Sequence, residues 1–200
     1  MNVTKQEAQD SLNEIHDVIY QTRLAIGRSG SSSILILWGV IWVIGYSVGQ
    51  FVPKWAGLIW APLVLIGSIG SWIGGSRSRP AGARGGFGLR IGIAWLVLFA
   101  YASLWVCLLH PAHLPSGVEW ANYQPINDRQ IGAFFATVPM FAYVVGGLWL
   151  GRFFVWLGAI VTALTIAGYC LLPGWFNLWM AFTGGGSLIV AGLFIRKYWR

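Results

Sequence analysis

The sequence predicts an all-α membrane protein: a polytopic bundle of six transmembrane helices in three hairpins, preceded by a cytoplasmic amphipathic helix. Three observations point there. Of 200 residues, 56% are hydrophobic and only 10% are charged, a balance foreign to a water-soluble domain. Thirteen are tryptophan, a residue enriched where spans meet the membrane–water interface. Apolar windows of about the 20 residues needed to cross a bilayer recur six times, near 33–52, 55–75, 89–109, 131–150, 153–172 and 175–195. These windows are apolar throughout and do not alternate, which argues against a β-barrel. Residues 1–32 form a cytoplasmic helix and linker, and residues 33–200 the membrane domain.

The first element is the amphipathic helix, over residues 4–28. Thr4-Lys5-Gln6-Glu7 has capping-box spacing, which satisfies amide donors at a helix start. Ala8, Leu12, Ile15, Ile19, Thr22 and Ile26 then follow at helical spacing as one narrow apolar seam, until Gly27 and Ser29-Gly30 end it. Glu7, Asp10, Glu14 and Asp17 make this segment polar, so no cleavable signal peptide is expected. Four carboxylates also disfavour contact with anionic lipid. Two partners remain for Leu12, Ile15, Ile19 and Ile26: the protein's own cytoplasmic face, or a cytoplasmic protein or second copy of the chain.

The spans come next. The fourth and fifth form one apolar block, about 63 Å long as a helix and broken only by Arg152; it must fold back near Gly151-Arg152. With the N-terminus inside, eleven Lys and Arg residues fall on the cytoplasmic side and only Lys54 and Arg129 outside. Both termini are therefore expected in the cytoplasm. The pI of about 9.9 then reflects topology and lipid headgroups rather than nucleic acid. The basic loop SRSRPAGARGGFGLR, residues 76–90, lacks the GxxxxGK[ST] pattern and is expected to be a connector facing lipid or a partner.

VPKWAGLIWA at 52–61 and LPGWFNLWMA at 172–181 share Pro, Trp, Leu and Ala in register, which suggests related hairpins at spans 1–2 and 5–6. Each returning span carries a weak point for a helix: Pro62 in span 2, Pro139 in span 4, and Gly184, Gly185 and Gly186 in span 6. Proline removes a backbone donor, and consecutive glycines ease unwinding. Such positions line central sites in transporters, or simply let helices pack closely, as the GxxxG spacings at 45/49, 70/74, 88/92 and 147/151 also would. Thr183 and Ser187 are placed to satisfy carbonyls freed there.

Chemistry is hard to find. No span interior carries an ionisable residue of the kind that proton relays use, which leaves at most a neutral or apolar solute for transport. His110 and His113 of HPAH, with Glu119 and Asp128, are weak metal candidates, because Pro111 breaks any regular helical spacing. Neither GxSxG nor HExxH occurs, and no span offers axial histidines for haem. No enzyme activity and no cofactor are expected. Cys107 and Cys170 lie at similar depth, as a disulfide or as two apolar free thiols.

The segments LNEIHDVIYQTRLAIGRSGSSSILILWGVIW (12–42) and WMAFTGGGSLIVAGLFIRKYWR (179–200) resemble the two ends of a loosely defined group of small bacterial multi-pass inner-membrane proteins. These share an N-terminal cytoplasmic helix, a Trp-Gly near the start of span 1, and a glycine-rich last span ending in basic residues. The resemblance covers about a quarter of the chain, implies a bacterial inner membrane, and transfers no functional residue. The leading expectation is a non-enzymatic regulatory, scaffolding or partner-docking protein acting through Leu12, Ile15, Ile19 and Ile26. The alternative is a small transporter or ligand-binding protein with a cavity near Pro62, Pro139 and Gly184–Gly186.

Overall fold

A computed structural model describes residues 6, 9–11, 13, 14, 17, 20, 30–77, 86–108 and 127–199. Among these, all regular structure is helical. Six long helices follow one another: α1 (Ser31–Phe51), α2 (Pro53–Arg77), α3 (Gly86–Leu108), α4 (Asp128–Leu150), α5 (Arg152–Leu171) and α6 (Phe176–Tyr198). By length and composition α1, α2, α4, α5 and α6 suffice to cross a bilayer. In helix α3 the described apolar stretch is Gly92–Leu108.

Local chemistry sets the ends. Gly30 adopts the left-handed conformation (φ 76°), and its carbonyl accepts the first bond of α1, from Ile34 N–H at 3.1 Å. Helix α4 opens on a complete capping box: Asn127 accepts from Gln130 N–H, and the Gln130 side chain accepts from Asn127 N–H, both at 2.9 Å. The expected fold-back between spans 4 and 5 occurs at Gly151 alone, whose φ of 125° is closed to residues bearing a Cβ.

The two similar segments make the same turn. Val52 (φ −135°, ψ 64°) and Leu172 (φ −127°, ψ 55°) end α1 and α5 in nearly one conformation. In each, the tryptophan three residues on donates its N–H back to that residue's carbonyl, at 3.0 and 3.1 Å. The turns also touch, through a 3.0 Å hydrogen bond from Gln50 Nε2 to the Gly174 carbonyl. We call this the distal end of the bundle; Ser31 and Tyr198 lie at the proximal end.

The core is built by α1, α4, α5 and α6, whose Leu35, Trp42, Met140, Val161, Met180, Leu188 and Ile195 form one buried cluster. Helix α2 rests on α1, and α3 leans on α4 through aromatic contacts, Trp95 edge-on to Tyr143 and Phe99 stacked on Phe135. Of the three sequential hairpins, only α1 with α2 is among the tightest pairs; the others are α4 with α5 and the first span with the last. Glycines decide this, because backbones approach only where no Cβ intervenes.

Candidate functional site

The N-terminal segment shows one side only. Gln6, Gln9, Asp10, Ser11, Asn13, Glu14, Asp17 and Tyr20 are helical and exposed. The apolar seam of Leu12, Ile15, Ile19 and Ile26 lies outside the described residues. So do His110, His113 and Glu119 of the weak metal candidate. Among the described residues, no three His, Cys, Asp or Glu side chains gather as a metal site would require. No disulfide joins Cys107 and Cys170, and both are exposed rather than buried.

The three glycines of α6 have three different surroundings. A Cβ on Gly185 would meet the Gly39 carbonyl oxygen at 2.8 Å and Val43 N at 3.0 Å. Reciprocally, a Cβ on Gly39 would meet the Gly185 oxygen at 2.7 Å. Two turns further on, a Cβ on Gly192 would meet the Ser32 oxygen at 2.7 Å in the same way. Helices α1 and α6 thus run antiparallel, backbone against backbone, at a separation that allows Cα–H···O contacts. Gly184 instead seats the Trp42 ring, at 2.9 Å, and a Cβ on Gly186 would meet nothing within 4 Å. Gly147 and Gly158 give α4 and α5 the same intimacy: a Cβ on the first would meet Val155 N, and on the second the Met140 oxygen, each at 2.6 Å.

The unwinding that consecutive glycines permit is also present. Residues Ala181–Gly185 form a π-helical turn, a geometry that widens the helix by one residue. Thr183 Oγ1 donates to the Trp179 carbonyl at 2.7 Å beside it. Trp179 itself packs against Gly168 and donates Nε1–H to the Leu164 carbonyl at 2.8 Å, fixing the start of α6 to α5.

The interior polar groups are consumed by the fold. Thr165 donates to the Val161 carbonyl within its own helix, and Tyr46 Oη reaches the Gly132 carbonyl of α4 at 2.9 Å. Among the described residues, no buried side-chain nitrogen or oxygen lacks a hydrogen-bond partner. Tyr46 further meets Trp42 and Trp60 edge-on, with centroids at 5.8 and 5.2 Å. At the distal end Arg129 lies over the Tyr169 ring at 4.6 Å.

Of the residues expected to bound a cavity, Pro62 alone lines the recess seen among the described residues. Helices α2 and α4 continue through Pro62 and Pro139; Pro139 is buried, and Pro62 is exposed. Pro62 lines an open apolar recess of about 450 Å³ with Val48, Val52, Trp55, Leu58 and Ile59, and this wall includes neither Pro139 nor the glycines. Sequence reasoning missed Gly39, Tyr46 and Gln50. The usable signal was a shared seven-residue spacing of small residues in the first and last spans, Ser32/Gly39 and Gly185/Gly192.

Compared with protein-family models, curated proteins and solved structures, the chain matches none.

Proposed function

We propose that this is a non-enzymatic protein of a bacterial cytoplasmic membrane, crossing it six times with both termini in the cytoplasm. It works by contact: a closed helical platform displays the N-terminal helix to a cytoplasmic protein or a second copy, through Leu12, Ile15, Ile19 and Ile26. One contrast carries the reading. Among the described residues a buried apolar cluster joins α1, α4, α5 and α6 and no buried side-chain polar atom lacks a partner, whereas the described residues between 6 and 20 are helical and exposed. A packed core with its polar atoms partnered favours a platform over a conduit. An exposed, charged helix attached to it favours a docking role.

The test is cross-linking in intact membranes followed by recovery of the full chain, comparing wild type, a deletion of residues 1–28, and Ile15→Asp with Ile19→Asp. Both variants are expected to lose the partner while thermal unfolding of the bundle stays unchanged. Unchanged recovery by both variants removes the basis for the role.

A second reading is favoured by the recess at Pro62: binding or transport of a neutral or apolar solute along α2. Under it, Pro62→Ala alters solute uptake into vesicles, and deletion of residues 1–28 does not.

A further inference from the structure

The recess between α1 and α2 has a position and a mouth that select one kind of occupant. Its walls are Val48 and Val52 of α1 and Trp55, Leu58, Ile59 and Pro62 of α2, all apolar. It is open rather than enclosed, and the bilayer reading sets α2 against acyl chain. It starts at the distal turn and follows α2 to Pro62, about 12 Å along the axis from Lys54, against about 15 Å for one hydrocarbon leaflet. Next in the chain to the lining residue Trp55 is Lys54, exposed, in a first turn of α2 that holds no acidic residue. The nearby polar side chain of Gln50 is turned away, its amide committed to the Gly174 carbonyl. Trp55 at the rim is 61% exposed, with the amphipathic ring suited to headgroup level.

An apolar trough nearly one leaflet deep whose rim residue Trp55 adjoins the exposed Lys54 is the complement of an anionic phospholipid: phosphate at the Lys54 ammonium, one acyl chain against Val48, Leu58 and Pro62. We propose that this recess holds one such lipid as a bound component of the protein. A soluble phosphate offers no chain for the trough, and a neutral solute leaves Lys54 without a counter-charge. The inference rests on the bilayer reading and is independent of the N-terminal helix. Deleting residues 1–28 leaves it untouched, so the two proposals fail separately.

The test is native mass spectrometry of the full chain in mild detergent, titrated with dioleoyl phosphatidylglycerol, dioleoyl phosphatidylcholine and glycerol 3-phosphate. One phosphatidylglycerol is expected to be retained at least fivefold more than phosphatidylcholine, with no retention of glycerol 3-phosphate. Lys54→Glu is expected to lower retention at least fivefold, and so are Val52→Trp and Leu58→Trp, which fill the trough from exposed positions. Lys197→Glu, at the proximal end, is expected to leave it unchanged. A photoactivatable phosphatidylglycerol is expected to label α1 and α2 of the wild-type chain, which keeps the idea testable should a variant misfold. Wild-type retention by Lys54→Glu and by both tryptophan variants overturns the proposal, as does equal retention of glycerol 3-phosphate or labelling confined to other helices.

Discussion

Gly184, Gly185 and Gly186 are chemically identical neighbours with different work to do, and that separates their substitutions. Gly185→Ala places a methyl group against backbone atoms of Gly39 and Val43, which cannot swing away. It is expected to destabilise the bundle by about 1–3 kcal/mol, the usual cost of overpacking. Gly186→Ala enters open space and is expected to be neutral or slightly stabilising, because alanine is the better helix former by about 1 kcal/mol. Thermal unfolding of the two variants in one detergent checks the contrast; equal midpoints would dissolve the reciprocal seat. A larger residue at position 185 therefore probes helix packing before it probes any cavity. Tyr46→Phe removes the bond to the Gly132 carbonyl, and the expected loss is about 0.6–1.5 kcal/mol in the same assay. At this scale the sequence flagged the anomaly and not its partners. A triple glycine inside an apolar run is visible by inspection. That only two of the three touch α1, through Trp42 and Gly39, depends on chain some 150 residues away.

Among the elements, α6 is the one whose geometry departs from a plain helix. Its first turns are held to α5 by Trp179, and its later turns are held to α1 by Gly185 and Gly192. An uninterrupted helix advances 100° per residue and cannot be freely rephased between two such seats. The π turn at Ala181–Gly185 absorbs one extra residue and brings both faces into register. Deleting Phe182, which lies in that turn and is 78% exposed, is then expected to restore a regular helix with both seats preserved. Deleting Val190 is expected to rotate Gly192 and Ile195 away from α1 and α5 and to abolish monodisperse protein on size-exclusion chromatography. Equal behaviour of the two deletions would end this account. Element positions were legible because apolar length is written directly in the sequence, and the fold-back at Gly151 followed from a block too long for one crossing. Pairings were not. The expected hairpin of α1 with α2 is kept, but the closest partnerships besides it are α4 with α5 and α1 with α6, because glycine faces at Gly147, Gly158, Gly39 and Gly185 outrank adjacency along the chain.

For the whole molecule, a four-helix core flanked by two outlying helices implies unequal environments. Much of α2 and α3 is exposed, with Leu65, Trp72, Leu96 and Tyr101 each above 60%. A lipid-soluble carbene reagent is expected to label those helices several-fold more than α1, whose Leu35, Ile41 and Trp42 are buried; uniform labelling would refute the arrangement. Reporters fused after residue 115 and after Arg200 should fall on opposite sides of the membrane under the proposed topology. The candidate docking site was legible only as a periodicity of isoleucine and leucine, since a seam identifies a buried face without naming what buries it.

The seat between the first and last helices also fixes an order of events. At about 5–20 residues per second, some 150 residues of synthesis separate the appearance of Gly39 from that of Gly185, an interval of roughly 7–30 s. Throughout that interval α1 sits in the membrane with its glycine face bare. Any ribosome that stops before α6 leaves an unclosed product, open to proteases or to the final helix of another copy.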